Sequence, residues 1–334
     1  MEILVTGGAG YIGSTIASAL EAQGHTPIIL DSLVTGQRVF TEGRIFYEGD
    51  VADRELLKRI TEDHPDLHAT IHCAALIVVP ESVEKPYLYY RENVCKSLEL
   101  FRNLEDLGYP RMVFSSSASI YDVVSDFKAT EDAPLKPSSP YARTKSMMEM
   151  VLSDMAHAGK LRGVALRYFN PIGADPEYRS GVHVREPSHV LGKLVDTALG
   201  KLPEFQITGT DWPTRDGSGI RDFVHVWDLA RAHVAAVERF DSVLETLGSP
   251  YAVINLGTGS GVTVKELVGA FERVWGSEIK KTEAPPRPGD VAGAYASTER
   301  ARELLGWQAE RSTDDGIASA LEWGKRRKAI LGYE

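Results

Sequence analysis

The chain has 334 residues, of which 43% are hydrophobic and 25% charged, enough for about two domains around a large core. These proportions exclude a disordered chain, a collagen and a disulfide scaffold. The formal net charge of −10 argues against a general binder of nucleic acids or anionic membranes, because either needs a basic surface.

The two cysteines, Cys73 and Cys95, lack metal-ligand spacing, and so small a number favours a reducing compartment over a disulfide framework. No apolar run approaches the roughly 18 residues of a membrane span. The first residues have the pattern of a buried strand rather than of a signal peptide. We therefore expect a cytoplasmic protein that binds neither nucleic acid nor membrane and holds no metal.

Short apolar runs alternate with helical patterns through the first half of the chain. This alternation predicts an α/β fold with a doubly wound parallel sheet. The predicted strands are Ile3–Thr6, Thr26–Asp31, Ile45–Glu48, Ala69–Ala75, Arg111–Ser115 and Gly163–Arg167. The predicted helices are Tyr11–Gln23, Arg54–Asp63, Val94–Leu107 and Tyr141–Ala158.

After about residue 168 the chain becomes richer in polar loops, at 171–188, 208–222 and 284–290. Long loops in a compact chain are typical of a binding face. We expect a first domain of residues 1–168 with a return segment near 222–256. A smaller α/β substrate domain, residues 169–334, would be interleaved with it and close over the C-terminal ends of the strands.

A glycine motif follows the first predicted strand and opens the first helix. Gly7, Gly10 and Gly13 permit a tight turn, close approach to a pyrophosphate and close helix–strand packing. Free N–H groups at the helix start would bind the phosphates. Asp31 ends the second strand, where a carboxylate accepts hydrogen bonds from an adenosine ribose and repels a 2′-phosphate. The combination predicts a Rossmann domain that binds NAD, and argues against a glycine turn without a ligand.

A tyrosine and a lysine lie four residues apart on a predicted helix. Tyr141 and Lys145 therefore share one face, where the ammonium would lower the pKa of the phenol and make it a general base. The spacing alone is more typical of an exposed helix pair. Ser115, Ser116 and Ser117 end a parallel strand and bring hydroxyls to the same edge of the sheet. Serine, tyrosine and lysine behind a dinucleotide fold together predict hydride-transfer chemistry.

Further motifs extend along nearly the whole chain. They are the segments 5–13, 48–51, 80–86, 89–94, 114–118, 166–171, 216–226, 255–257 and 287–290. The most specific are Tyr-Phe-Asn at 168–170 and Arg-Pro-Gly-Asp at 287–290. On these motifs the chain resembles the extended short-chain dehydrogenase/reductases, and within them the UDP-galactose 4-epimerase (UDP-glucose 4-epimerase) family.

The resemblance implies reversible 4-epimerisation of UDP-glucose and UDP-galactose by transient hydride transfer to tightly bound NAD, in a homodimer. The catalytic residues would be Ser117, Tyr141 and Lys145. The cofactor-binding residues would be Gly7, Gly10, Tyr11, Ile12, Gly13, Asp31, Asp50, Val51, Ala74, Ala75, Asn93, Ser115, Tyr141, Lys145 and Tyr168. The residues that bind the UDP-hexose would be Ser117, Phe169, Asn170, Ser188, His189, Val190, Arg221, Arg287, Asp290 and Ala294. Arginines also suit a diphosphate on chemical grounds, because they are forked, permanently charged donors.

The chain departs from the family pattern at several positions. Ile77 replaces the usual lysine, so one phosphate contact is missing or comes from elsewhere, and Asp122 replaces a glycine after Tyr121. Residues 188–190 replace the usual Asn-Asn-Leu. Ala294 stands where the family often has a bulky residue near the sugar 2-substituent. The smaller side chain predicts additional activity on UDP-GlcNAc and UDP-GalNAc.

Other functions compete with this interpretation. A nucleotide-sugar 4,6-dehydratase would need an Asp-Glu pair where the chain has Ala118 and Ser119, so we reject it. A 4-epimerase of another UDP-sugar, such as a UDP-uronate, stays open because fold does not fix function. A non-catalytic NAD-sensing protein would be expected to have lost the Tyr141–Lys145 pair.

Overall fold

The computed structural model describes residues 1–122, 124, 126–286 and 290–333. The strands are β1 (Glu2–Thr6), β2 (Thr26–Asp31), β3 (Ile45–Glu48), β4 (Leu67–His72), β5 (Arg111–Ser115), β6 (Lys128–Ala129), β7 (Arg162–Tyr168), β8 (Asn170–Ile172), β9 (Phe205–Thr208), β10 (Ile220–Arg221), β11 (Phe223–His225), β12 (Tyr251–Leu256), β13 (Val262–Thr263), β14 (Lys281–Ala284) and β15 (Gly293–Ala296). The helices are α1 (Tyr11–Ala22), α2 (Arg54–Asp63), α3 (Val79–Glu84), α4 (Pro86–Tyr89), α5 (Lys96–Asp106), α6 (Pro140–Ala158), α7 (Val190–Ala198), α8 (Val226–Glu238), α9 (Phe240–Leu247), α10 (Val264–Trp275), α11 (Glu299–Leu305) and α12 (Thr313–Leu331).

The largest sheet within the described ranges has seven strands in the order β12-β7-β5-β4-β1-β2-β3. Every neighbouring pair in it is parallel. The doubly wound α/β fold predicted from the sequence is therefore confirmed. The strand order reverses between β1 and β4, and sheets of this kind bind ligands at the C-terminal ends of the strands flanking such a reversal.

Helices cover both faces of this sheet because successive side chains of a strand point to opposite sides. Ile3 and Val5 of β1 are buried in a cluster with α1 and α8. Leu4 between them is buried in the opposite cluster, with residues of α2, α5 and α6. Each fully buried aliphatic side chain contributes about 1.5–3 kcal/mol, so both layers stabilise the sheet.

A segment from the second half of the chain completes the central sheet. β12 pairs in parallel with β7, from Tyr251 opposite Gly163 to Leu256 opposite Tyr168. Helix α8 packs against α1 in the same layer. Helix α8 and β12 thus lie with the first half of the chain, whereas β11 pairs with β8 of the second half. The predicted domain boundaries and return segment stay a prediction.

The rest of the second half forms smaller sheets and a helical cluster. β13, β10, β15 and β6 form a four-stranded sheet, and β11-β8 and β14-β9 are separate pairs. Helices α7, α10 and α12 enclose a core that includes Leu194, Phe223, Phe271 and Ile317. No helix in the described ranges combines the length and apolar character needed to cross a membrane.

Six of the ten predicted elements differ in extent from their predictions, and two of them, β4 and α5, differ by more than one residue at an end. β4 ends at His72, three residues before the predicted Ala75, because the chain leaves the sheet to pass over the glycine turn. A Cβ atom on Gly7 would lie 2.7 Å from the backbone N of Ala74. The predicted helix Val94–Leu107 is preceded by a wide π-helical turn at Tyr90–Cys95, and α5 proper begins at Lys96.

Candidate active site

A cavity of about 1010 Å³ is lined by the C-terminal edge of the central sheet and by loops of the second half of the chain. Many of the residues singled out from the sequence line it. They are Gly7, Gly10, Tyr11, Ile12, Gly13, Asp31, Asp50, Val51, Ala74, Ala75, Lys145, Tyr168, Asn170, Ser188, His189, Val190, Arg221 and Asp290. The cavity is thus lined both by positions predicted to bind the dinucleotide and by positions predicted to bind a second nucleotide.

The glycine turn is packed so closely against neighbouring backbone that it has no room for side chains. Gly7 has φ +69°, and a Cβ on Gly13 would lie only 2.2 Å from the carbonyl oxygen of Gly7. Gly10 precedes α1, and no side chain of the described residues caps it. The first N–H groups of α1 are therefore available to an anion at the positive end of the helix dipole.

Asp31 is rigidly held beside this turn. Its Oδ2 accepts a hydrogen bond from the Ala9 N–H at 3.0 Å, and its Oδ1 accepts one from the Leu33 N–H at 2.8 Å. Burial raises the pKa of the carboxyl, and the two backbone donors oppose that shift. The side chain lies on the cavity wall, as expected for a group that binds ribose hydroxyls.

Ser117 and Tyr141 are neighbours near the cavity. Burial raises the pKa of the Tyr141 phenol, and its interaction with Ser117 lowers it. The two side chains are 9% and 8% exposed, and neither lines the cavity itself. The sequence predicted that Lys145 would lower the pKa of Tyr141, but here the opposing group is Ser117 and burial outweighs it.

Lys145 lies one turn further along α6 and reaches the cavity. Its Nζ donates a hydrogen bond to the Ser115 carbonyl oxygen at 2.8 Å and lies 5.0 Å from the Phe114 ring centroid. Burial lowers the pKa of Lys145 to about 8, although Cys73 and Glu149 oppose the shift. A lysine so placed can exchange its proton near neutral pH.

Two predicted cofactor residues lie behind the cavity wall rather than on it. The Ser115 hydroxyl is fully buried and contacts Cys73 Sγ at 3.1 Å and His233 Nε2 at 3.0 Å. The Asn93 amide accepts a hydrogen bond from the Leu76 N–H at 2.8 Å and donates one to the Leu76 carbonyl at 2.9 Å. These contacts support the loop after β4.

The exposed Ile77 follows this loop and lines the cavity at the position of the usual lysine. Lys96 lies on the same wall and is paired with Asp50 and Glu92. The charge of Lys96 is therefore engaged by two carboxylates of the protein.

The second half of the chain presents a cationic side chain to the cavity. Arg221 donates hydrogen bonds to the carbonyls of Ile220 at 2.7 Å and Ala292 at 2.9 Å. These bonds orient the guanidinium, which keeps its permanent charge beside the cavity. The predicted Arg287 lies outside the described residues, whereas Asp290 lines the cavity.

Helix α7 begins at the cavity wall, at the positions that replace the Asn-Asn-Leu of the family. His189 caps the helix, because its Nδ1 accepts a hydrogen bond from the Gly192 N–H at 3.1 Å. Burial, followed by the charge of Arg327, lowers the pKa of His189 to about 4. A neutral cap leaves the helix N-terminus free of an added positive charge.

Phe169 and Ala294 lie outside the cavity lining and pack together. Both belong to a small apolar cluster that also contains Tyr121 and Ala296. Tyr295, the next residue, lies against Gly261, where an added Cβ would come within 2.7 Å of its ring. Ala294 and Tyr295 thus face different neighbours, and the small side chain is the one beside Phe169.

Several cavity-lining residues were not singled out from the sequence. Thr35 and His183 lie near Asp31, and Phe205, Trp212 and Phe223 lie on the wall formed by the second half. The loops 171–188 and 208–222 were recognised as a binding face, but composition does not show which of their side chains point inward. In the described part of the chain, no group of three histidine, cysteine or acidic side chains could hold a metal ion.

Known proteins are similar to this chain over its whole length. Residues 3–257 match the model of the NAD dependent epimerase/dehydratase family. A UDP-glucose 4-epimerase of Bacillus subtilis is 40% identical, with 100% of this chain and 99% of the relative covered.

Two solved structures of UDP-glucose 4-epimerases are also similar. One from Stenotrophomonas maltophila, with bound NAD and formylated UDP-arabinopyranose, has a TM-score of 0.93, 36% identity and coverage of 98% and 99%. One from Bifidobacterium longum, in complex with NAD+ and UDP, has a TM-score of 0.90, 34% identity and full coverage of both chains. With the glycine turn, Asp31 and the Ser117–Tyr141 pair in place, the chain belongs to the NAD dependent epimerase/dehydratase family.

Proposed function

We propose that this protein interconverts UDP-glucose and UDP-galactose by inverting the C4 hydroxyl, with NAD as its resident cofactor. The observation that carries the proposal is the cavity that brings the glycine turn, Asp31 and Lys145 together, with Ser117 and Tyr141 as neighbours close to it. The names of the relatives support the same activity.

The residues of the first half fit the cofactor. The turn at Gly7–Gly13 is too closely packed for side chains, so its backbone stays bare, and the start of α1 would bind the pyrophosphate. Asp31 would accept hydrogen bonds from the adenosine ribose, and Asp50 and Val51 would flank the adenine. When bound, the nicotinamide supplies reversible oxidation and reduction at C4 of the sugar.

The protein's own part in the chemistry is the movement of one proton. Tyr141 would remove the proton from the sugar O4 and return it to the same oxygen, while Ser117 donates a hydrogen bond there. Ser117 lowers the pKa of the phenol against the effect of burial, and Lys145, one helical turn away, would contact the nicotinamide ribose. The 4-keto sugar would turn within the cavity between the two proton transfers, so inversion gives no net redox change.

The second half of the chain would hold the UDP part. Arg221 would bind the diphosphate, and Asn170, Asp290 and residues 188–190 would contact the remainder of the nucleotide. Arg287 is assigned the same role from the sequence alone. An anchored nucleotide leaves the hexose as the mobile part, as inversion at C4 requires.

We infer further that the enzyme accepts N-acetylated hexoses. Ala294 packs with Phe169, whereas Tyr295 lies against Gly261, which supports a small side chain near the sugar. UDP-GlcNAc and UDP-GalNAc would then be substrates beside the simple hexoses. Ala294→Tyr should selectively lose activity on UDP-GlcNAc and UDP-GalNAc. Equal rates of the wild type and Ala294→Tyr toward UDP-GlcNAc would contradict this inference.

The experiment for the main proposal uses the protein as purified, without added NAD. It is offered UDP-glucose, UDP-galactose, UDP-GlcNAc and UDP-glucuronate separately, and the 4-epimers are quantified by chromatography. Conversion of UDP-galactose to UDP-glucose is expected. Conversion of UDP-glucuronate alone would instead identify a uronate epimerase, and bound NAD with no conversion of any sugar would favour a sensing protein.

The remaining proposals concern assembly and compartment. Met147 and Met150 on α6 and Leu98 on the neighbouring α5 are exposed, which supports a homodimer through these helices. Sedimentation at twice 36.7 kDa would support it, and a monomer would contradict it. Both cysteines are unpaired, which is compatible with a cytoplasmic protein.

A further inference from the structure

Residues 182–185, here called the braced segment, are held by the C-terminal part of the chain. Trp323 Nε1 donates a hydrogen bond to the Val182 carbonyl at 2.8 Å, and the Tyr333 hydroxyl donates one to the carbonyl of His183. The Arg327 guanidinium donates to the next two carbonyls, at 3.2 and 3.4 Å, and is itself paired with the buried Asp196. Four consecutive carbonyls therefore have donors from one short stretch of sequence.

The braced segment brings one ionisable side chain to the cofactor end of the cavity. His183 lines the cavity, and its ring lies edge-on to Phe40 with centroids 5.9 Å apart. It lies beside the backbone of Thr35 and near Asp31, and both influence its pKa. The second half of the chain thus reaches the loop that follows β2, where the adenosine ribose is expected.

His183 is also incompletely paired. The residue is 9% exposed, and its Nδ1 is buried with no hydrogen-bond partner among the residues that the structure describes. Buried polar atoms without partners are rare because they cost free energy, so each calls for an explanation. Burial lowers the pKa of His183 although Thr35 and Asp31 oppose it, which favours the neutral ring with one donor and one acceptor nitrogen.

We propose that His183 covers the adenosine-ribose end of the bound dinucleotide beside Asp31 and slows its release. The inference rests on the proposed function, because it assumes that NAD occupies the cavity. The cofactor would then be enclosed between Asp31 of the first half and a side chain of the second half. Retention is useful in this chemistry, because a cofactor that undergoes no net redox change has no need to leave.

The braces give the side chain its position. Trp323, Arg327 and Tyr333 bind carbonyls and not the ring of His183, so they act on the cofactor only through the braced segment. Loss of one brace should loosen the cover without removing it. Tyr333 is a positioning residue in this proposal, and His183 is the residue that contacts the ligand.

The experiment measures how fast NAD leaves the purified protein. Wild type, His183→Ala and His183→Gln are desalted and diluted, and the released NAD is quantified over time. Loss of the covering side chain in His183→Ala should release NAD about tenfold faster, with His183→Gln in between. The exposed His157→Gln on α6 is the matched control and should release NAD at the wild-type rate.

Two further measurements separate a specific role from general damage. Tyr333→Phe removes only the hydroxyl that donates to the His183 carbonyl and should speed NAD release by a smaller factor. The affinity for UDP should be unchanged in all variants, because Arg221 and residues 188–190 are intact. Equal loss of UDP affinity in His183→Ala would show a collapsed loop and overturn the proposal.

The remaining outcomes distinguish this inference from the function on which it rests. A wild type that retains NAD and a His183→Ala variant that releases it at the same rate would overturn the inference alone. A wild type that binds no dinucleotide would overturn both.

Discussion

Burial acts against the charged forms of both side chains that share the reactive face of α6. It raises the pKa of Tyr141 and lowers that of Lys145 to about 8. The four-residue spacing predicted their common face correctly, because helical geometry is local. The direction in which the pKa of Tyr141 shifts depends on how deeply the phenol is buried. Residue spacing along a helix does not predict that burial.

The role of Tyr141 can be tested with a single atom change. Tyr141→Phe keeps the ring and its packing but removes the proposed general base, so turnover of UDP-galactose should fall about 10²–10⁴-fold. The amount of NAD that the variant retains and its affinity for UDP should both equal those of the wild type. Tyr109→Phe is the control and should turn over UDP-galactose like the wild type. It removes a hydroxyl that donates to the carbonyls of Thr61 and Pro65, outside the cavity lining. Near-wild-type turnover in Tyr141→Phe would show that another group moves the proton.

At the scale of elements, the start of α1 depends on glycines whose surroundings differ from those of a glycine in an ordinary helix. A Cβ on Gly13 would lie 2.2 Å from the Gly7 carbonyl oxygen, whereas a Cβ on Gly269 in α10 meets nothing within 4 Å. Both positions are helical, so alanine raises the intrinsic helix propensity equally at each. The comparison therefore isolates the requirement for space in the turn.

Gly13→Ala should displace the turn and reduce retained NAD at least tenfold. Gly269→Ala should retain NAD like wild type and raise the free energy of unfolding by about 0.5–1 kcal/mol. Absorbance of the NAD released by denaturation, together with urea titration, measures both effects. Equal NAD content in the two variants would contradict a tight phosphate turn at Gly13.

The predicted elements with the clearest periodicity agree closely with the structure. β2, β3, α2 and β5 have the predicted bounds, because each is a short buried run or an amphipathic pattern with clear ends. β4 ends early because Ala74 passes against Gly7, a contact between segments far apart in the sequence. The turn at 90–95 is wide where Asn93 reaches back to Leu76, which is likewise a tertiary contact.

At the scale of the whole molecule, buried histidines link stability to pH. Burial lowers the pKa of His72 to about 3 and the pKa values of His189, His225 and His233 to about 4. An unfolded chain protonates histidine near pH 6.5, so between about pH 6.5 and 4 the unfolded state binds more protons. The free energy of unfolding should therefore fall as the pH falls through this window, by up to about 1.4 kcal/mol per pH unit for each histidine.

Urea titrations between pH 7 and 5 test this linkage, above the range in which most carboxylates titrate. His233→Gln, which removes one buried imidazole, should reduce the slope of unfolding free energy against pH by about 1.4 kcal/mol per pH unit at most. His157→Gln at the surface of α6 should leave the slope as it is. A slope unchanged in His233→Gln would contradict the assignment, whatever that variant does to absolute stability.

The features that could be derived from the sequence are those governed by local geometry. Strand and helix periodicity predicted the parallel sheet, the glycine spacing predicted the turn before α1, and the four-residue interval predicted that Tyr141 and Lys145 share a face. Each rule needs only neighbouring residues, because backbone conformation and helical phase are determined over a few positions.

The remaining features arise where distant segments meet. Only the folded chain reveals that β12 pairs with β7, that the Ser115 hydroxyl points away from the cavity, and that His183 reaches the loop beside Asp31. Polar loops carry no periodicity from which an inward-facing side chain could be identified. Their orientation is set by long-range hydrogen bonds such as those from α12 to residues 182–185, and these exist only once the two halves of the chain have packed together.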